Sequence, residues 1–313
     1  MNNKDLKKIM DVAKSITVKQ GEGAIFHLGS AEANLGVERW STGIVELDNA
    51  IGGGMPKGRQ IEIFGQESTA KTSLAYHLCA QHPICLYIPA EGTFDPLRAK
   101  SFGNTPKQML VYRNCKYAED IINKILDFAR AGIPLIVVDS VPGMQCKSEY
   151  DQVEKDAEKQ PQYGQLSRLF SRTMKNIEDT IERTGTTIIW VNQVRAKINA
   201  SAFGEQDDSP GGKAFKHYIS LRIKTYRREW INVPNKNPAS SSTNERCGLI
   251  QKIKILKSKV CAPQEERELP MFFLYGYVSF DDLQEKRKII MKANNEKYKK
   301  KKEDEENENW DDD

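Results

Sequence analysis

No window of the 313 residues approaches the roughly 18 apolar residues that a membrane span requires. The first ten, Met1 to Met10, are polar and lysine-rich with no long apolar stretch behind them. No spanning helix or secretory leader is therefore expected, and the cytoplasm is the expected compartment. Cys-x-x-Cys pairs are lacking too. The six cysteines (Cys79, Cys85, Cys115, Cys146, Cys247 and Cys261) are scattered, several inside apolar runs such as Ile84 to Ile88. Buried reduced thiols are expected rather than zinc ligands or disulfides. No internal repeat is found. With 39% hydrophobic residues, the chain has the composition of a soluble α/β protein with one main domain and appendages.

The charge is segregated along the chain. Residues 303–313 (EDEENENWDDD) hold eight acids and no base, so the net +4 of the whole chain leaves about +12 on residues 1–302. A basic body attracts phosphate backbones, and an acidic end can compete with nucleic acid for the same surface.

Lys4 to Ile16 carries apolar residues at helical spacing (Leu6, Ile9, Met10, Val12, Ala13, Ile16), which predicts a small leading helix with one apolar stripe. A loop-rich stretch follows, then two short glycine-punctuated elements in Ser41 to Gly58. From Arg59 onward, apolar strand candidates (Ile61 to Phe64, Ile84 to Ile88, Met109 to Tyr112, Leu135 to Val138, Thr187 to Val191) alternate with helical stretches such as Ala118 to Ala131 and Gln165 to Arg183. Runs this apolar suit strands covered on both faces, so a mainly parallel sheet flanked by helices is predicted. After Gly212 the pattern changes to alternation at Ile219, Leu221 and Ile223, followed by Ile253 to Leu256 and Met271 to Leu274. These read as antiparallel strands added to one sheet edge. Asn232 to Cys247 is loop-like, and Phe280 to Tyr298 reads as a helix running into Lys299 to Lys302.

The sharpest local signal is GQESTAKTS (Gly65, Gln66, Glu67, Ser68, Thr69, Ala70, Lys71, Thr72, Ser73), placed after a strand and before a helix. A phosphate-binding loop needs inward backbone N–H groups, a lysine for the β- and γ-phosphates and a hydroxyl for magnesium, and Lys71 and Thr72 supply the last two. The usual second glycine is Ala70 here. Asp139 ends the apolar strand IVVDS, where it can hold a magnesium-bound water. Glu91 ends another, twenty residues after Lys71, and a carboxylate there can polarise an attacking water. The trio points to a nucleoside triphosphatase.

Seven motifs in this order, STGIVELDNAIGGGMPKGR, GQESTAKT, AEGTFDP, LIVVDSV, IIWVNQVRAKI, FGEQDDSPGGKAFKHY and LKSKVCAP, resemble the bacterial RecA recombinases from the first helix to about Leu283. The resemblance implies a RecA-like P-loop core at 34–283, a helix and linker for filament assembly at 1–33, a basic helix at 284–302 and an acidic disordered tail at 303–313. It implies ATP and Mg²⁺ as cofactors, with single- and double-stranded DNA, a helical homopolymer, and single-strand-binding and loading proteins as partners. Glu91 then matches the catalytic base, Asp139 the metal-site aspartate through water, and Asp95 and Arg98 the residues at the adenine. Gln193 matches the γ-phosphate sensor heading the second DNA loop, and Lys257 and Lys259 a pair reaching the neighbouring subunit's ATP. The first DNA loop spans about 143–163 and leads, through Tyr163 and Gly164, into a helix bearing Arg168, Ser171 and Lys175. The second spans about 195–213, with Arg195, Lys197, Ile198, Gly211, Gly212 and Lys213. Ile198 and Tyr163 are the candidates to wedge between bases.

The chain departs from that family at Ala70, at Gly92 in place of a histidine, and at Arg98 in place of an aromatic ring. After Leu283 one helix, a lysine run and the acidic end stand in place of the family's globular C-terminal domain. Lys286, Arg287, Lys288, Lys292 and Lys297 to Lys302 are therefore expected to capture duplex DNA. This compact form suits a phage or mobile-element recombinase. Two other functions are compatible with the same core: a hexameric helicase or branch-migration motor, and a non-catalytic ATP-binding accessory that coats DNA.

Overall fold

A computed structural model describes residues 3–20, 25, 36–155, 164–196, 207–234, 244–263 and 265–308. The chain divides into two units, Met1–Glu38 and Arg39–Asp313. In the first unit, α1 (Asn3–Gln20) carries Asp5 in its first turn and Lys19 in its last, charges that complement the helix dipole. Leu6, Ile9 and Val12 of its apolar stripe are exposed.

The second unit opens with a small ribbon of β1 (Arg39–Trp40) and β2 (Met55–Pro56), bridged by α2 (Val45–Ala50). It continues as β3 (Gln60–Gly65), α3 (Lys71–Cys79), β4 (Cys85–Pro89), α4 (Pro96–Ser101), β5 (Met109–Val111), α5 (Ala118–Arg130) and β6 (Leu135–Asp139). Next come α6 (Lys147–Lys155), α7 (Gln165–Thr184), β7 (Thr187–Gln193), the two-residue pair β8 (Arg195–Ala196) and β9 (Asp207–Asp208), and α8 (Gly212–Tyr218). The chain ends with β10 (Leu221–Pro234), β11 (Asn244–Ser258), β12 (Glu266–Phe272), β13 (Gly276–Tyr277) and α9 (Phe280–Glu308).

Nine strands form one sheet in the order β13-β12-β11-β10-β3-β7-β6-β4-β5. The six from β10 to β5 are parallel, and β11, β12 and β13 extend the β10 edge antiparallel, as the change of pattern after Gly212 predicts. Alternate residues of each central strand enter opposite cores. Ile61, Ile63, Tyr87, Leu135, Val137 and Ile189 pack with α3, whereas Leu86, Ile88, Ile136, Val138, Ile188 and Trp190 pack with α5, α7 and α8. Period-2 burial on both faces is why these strands read as unbroken apolar runs. A third cluster of Ile231, Val233, Ile250 and Phe272 is closed by Ile290 of α9, with Leu283 and Met291 beside it.

Four expectations are corrected. The first loop is partly regular, because Val141–Gly143 is a 3-10 turn and Lys147–Lys155 forms α6. The second holds the β8–β9 pair and ends in α8. Of the segment 232–247 expected to be loop, residues 232–234 and 244–247 are strand, since β10 and β11 pair up to the Pro234–Asn244 register. The tail expected from residue 303 begins as helix, α9 running to Glu308. Lysine and glutamate are good helix formers whatever their net charge. All six cysteines are free, Cys79, Cys85 and Cys146 being buried. Among the described residues no helix is long and apolar enough to cross a membrane.

Candidate functional site

Strand register brings the key side chains to one edge. Gly65 lies opposite Gln193, Asp139 opposite Val191, and Pro89 opposite Asp139. The segments that follow β3, β7, β6 and β4 therefore leave the carboxyl edge of the parallel sheet together, where ligands of open α/β sheets bind.

The phosphate loop is held from below by β10. A Cβ on Gly65 would meet the Thr225 carbonyl and hydroxyl at 2.4 Å, so only glycine fits there. Thr69 Oγ1 donates to the Gln66 carbonyl (2.8 Å) and meets Thr225 Oγ1 (2.8 Å), and Gln251 Nε2 donates to the Thr69 carbonyl (2.6 Å). Gln66, Glu67 and Ser68 are exposed. Ser68 and Ala70 both sit in the left-handed region, at φ 59° and 62°, a conformation that costs L-residues about 1–2 kcal/mol. Ala70→Gly is accordingly expected to raise unfolding free energy by up to about 1 kcal/mol, measured by denaturant titration, with nucleotide affinity undiminished.

Lys71 Nζ donates to the carbonyls of Gly65 (3.0 Å) and Gln66 (2.7 Å). Burial pulls its pKa down, against the opposing pull of Asp139, Glu67 and Glu91. Thr72 Oγ1 and the Tyr87 hydroxyl both donate to Asp139 Oδ2, at 2.7 and 2.6 Å. Burial nevertheless pushes the Asp139 carboxyl up. Glu91 is exposed beyond β4, accepts from the Ser140 hydroxyl, and accepts from Gln193 Nε2 at 3.3 Å. Glu91, Asp139, Thr72, Asp95, Arg98 and Arg113 line a cleft of about 440 Å³. A second, of about 390 Å³, runs from residues 68–73 to Arg98, Trp230, Leu249, Met271 and Phe273. Ser73 Oγ accepts from Arg98 Nη2 at 2.8 Å, and the guanidinium lies 6.0 Å from the Phe273 ring centroid. The Asp95 carboxylate caps α4, accepting from the backbone of Leu97 and Arg98.

The elements expected to meet DNA also converge. Phe170 of α7, Trp190 of β7 and Phe215 of α8 pack together with centroids 5.0–5.7 Å apart, the indole meeting both phenyl rings edge to face. A Cβ on Gly212 would strike Ser167 of α7 at 2.7 Å, and its φ of 81° also calls for glycine. The heads of α7 and α8 are thus adjacent. Arg168, Ser171, Lys175 and Lys213 are exposed, and Gly164 and Gly211 stand at the two helix starts. Two of these side chains are already engaged, Ser171 with the Ser167 carbonyl and Lys175 with Asp179 at 2.6 Å. The backbone of Arg195 forms β8, while Tyr163, Lys197 and Ile198 lie outside the described residues. Lys257 Nζ donates to the carbonyls of Lys216 (2.6 Å) and His217 (3.1 Å) in the last turn of α8. Burial, then Lys259 and Arg222, lower its pKa to about 8. Lys259 is exposed beside it.

Sequence reasoning missed Ser140 and Tyr87 as partners of Glu91 and Asp139, and Arg113 in the cleft wall. No local signal marks them, because contacts between strands and helices create their roles. Glu62 and Asn192 were also missed, although a polar residue inside an apolar strand is a readable sign of a buried network.

An edge of this kind is built to seat a polyphosphate, which makes the chain a P-loop nucleoside triphosphatase by class. The profile of the RecA N-terminal domain matches residues 7–278. Among curated proteins, Protein RecA of Ruminococcus albus is 36% identical over 277 residues, covering 86% of this chain and 66% of that protein. Protein RecA of Synechococcus elongatus is 34% identical over 281 residues, covering 87% and 74%, and that of Campylobacter fetus 32% over 277 residues, covering 86% and 76%. The matched stretch thus spans about two thirds to three quarters of these relatives. The chain belongs to the RecA family, the ATP-dependent DNA recombinases, a membership that does not favour the ring motor or the non-catalytic accessory.

Proposed function

We propose that the chain polymerises on single-stranded DNA in an ATP-dependent manner, pairs that strand with a homologous duplex and exchanges strands, with DNA-dependent ATP hydrolysis resetting the cycle. The observation that carries this reading is the position of Gln193. Its amide touches Glu91, and two residues later the chain enters β8 and the second DNA segment. One neutral amide thereby links the hydrolysis machinery to a DNA-contacting loop, and it can exchange a carboxylate partner for a phosphate oxygen.

The side chains fit Mg²⁺-ATP. Thr72 Oγ1 and Asp139 Oδ2, 2.7 Å apart, are hard oxygen donors of the kind Mg²⁺ takes, Asp139 through a water. Held there, the ion would offset the negative charge of the phosphates. Lys71 would leave its loop carbonyls for the same phosphates, and the backbone N–H groups of residues 66–73 would cradle them. Glu91, oriented by Ser140, would take the proton of the attacking water. The base would lie in the cleft between Arg98 and Phe273, a planar guanidinium replacing a ring as stacking partner. Asp95 would act there by fixing the turn that presents Arg98. Lys257 and Lys259 would reach a neighbouring protomer's triphosphate, Lys257 giving up its α8 carbonyls to do so. Charge supplied in trans makes turnover depend on assembly.

Exposed Lys288 and Lys292 and half-buried Lys286 and Arg287 on α9 would bind duplex phosphates. Deleting α9 would also bare the cluster under Ile290, so neutralising these four to glutamine is the cleaner test. Duplex affinity is expected to fall about tenfold or more at moderate salt, with single-strand affinity within twofold of wild type, both read by fluorescence anisotropy. Strand exchange tests the function as a whole. Joint molecules are expected with ATP and with a non-hydrolysable analogue, and their absence in both, with DNA binding intact, would overturn the reading.

A further inference from the structure

Glu62 is an acid in the middle of β3, between Ile61 and Ile63, and it is wholly buried. A buried carboxylate is costly unless its oxygens are paired, and here both are. Arg222 Nε donates to Oε2 at 2.5 Å, and Asn192 Nδ2 donates to Oε1 at 2.9 Å.

Each partner makes one further bond to the same short segment. Arg222 Nη2 donates to Ser209 Oγ at 3.0 Å, and Asn192 Nδ2 donates to the Pro210 carbonyl at 2.9 Å. The segment itself is shaped by Asp208, whose carboxylate accepts from the Ser209 N–H at 2.9 Å and pairs with Lys216. Residues 208–210 lead directly into Gly211, Gly212 and α8, closing the second DNA segment.

The other side of the network reaches the nucleotide edge. Asn192 Oδ1 accepts from the backbone N–H of Gln193 at 3.0 Å, and the Arg222 guanidinium lies over Phe64, 4.6 Å from its centroid, one residue before Gly65. An apolar residue at 62 would fill the core more cheaply. What the acid adds is a fixed geometry between three strands and one loop stem.

We propose that Glu62, acting through Asn192 and Arg222, is a positioning residue that ties residues 208–210 to the strands bearing the phosphate loop and Gln193. A movement of Gln193 on nucleotide binding is thereby passed to the closing stem of the second DNA segment. This rests on the reading that nucleotide occupancy switches the DNA loops. Coupling of this kind is a ratio of affinities, so the test is the gain in oligo(dT) affinity of the full chain on adding a non-hydrolysable ATP analogue, with analogue affinity measured separately without DNA.

Ser209→Ala removes one hydroxyl and is expected to lower the gain about threefold, with Ser209→Thr restoring it. Glu62→Gln is expected to lower it about tenfold. Analogue affinity should stay within twofold of wild type in all three. A gain unchanged in both Ser209→Ala and Glu62→Gln overturns the proposal, as does DNA binding that weakens equally with and without nucleotide. Should Glu62→Gln fail to fold by circular dichroism, the Ser209 pair decides. A wild type with no gain at all sinks the switch itself and this proposal with it, an outcome distinct from a gain that persists in the variants.

Discussion

Replacing Glu91 with glutamine is expected to lower DNA-stimulated ATP turnover by about 10²- to 10⁴-fold, the usual contribution of a positioned general base. The change is nearly isosteric. The glutamine carbonyl still accepts from Ser140 and the residue is exposed, so folding and nucleotide binding should be preserved. What is lost is the anionic acceptor for the proton of the attacking water. Because only the step that resets the cycle is removed, the variant should hold single-stranded DNA in the presence of ATP for longer than wild type. Steady-state phosphate release and DNA dissociation in parallel check both halves. Equal turnover in the two proteins would remove Glu91 from the mechanism.

Lys71→Ala is expected to reduce kcat/KM for ATP by more than about 10²-fold and to abolish the effect of nucleotide on DNA binding. Lys71 is drawn toward neutrality by burial while Asp139, Glu67 and Glu91 surround it with negative charge. Removing it leaves those carboxylates facing the phosphates with no cation between. Stability should change little, because its hydrogen bonds are to two loop carbonyls, Gly65 and Gln66, and a desolvated charge disappears with it. Binding of a fluorescent ATP analogue, alongside a thermal melt, separates the two effects. A variant that melts as wild type and still binds nucleotide tightly would contradict the assignment.

Most of the sheet was legible because two-sided burial writes itself into the strands as runs such as Ile61–Phe64 and Leu135–Val138, each observed within two residues of expectation. The positions of residues 65–73, Asp139 and Glu91 at or just beyond strand ends were legible for a related reason. Strand ends can be read from where apolar runs stop. The relations between them could not be read. Tyr87 lies in the middle of an apolar run, yet its hydroxyl serves Asp139 across 52 positions of chain. Lys257 reads as a free cation in LKSKV, yet its ammonium is bonded to the carbonyls that end α8. The resemblance misled at Lys147–Lys155, implied to be loop, and the run of acids misled from residue 303 to Glu308, read as tail, while both stretches are helical and rich in good helix formers.

Single-strand affinity measured with and without a non-hydrolysable ATP analogue is the most direct test of a switch built on Lys71, Glu91 and Gln193. An increase of at least about tenfold on adding the analogue, of the size that coupling between two sites typically shows, is the predicted result. Identical affinity under both conditions, with nucleotide demonstrably bound, would contradict it.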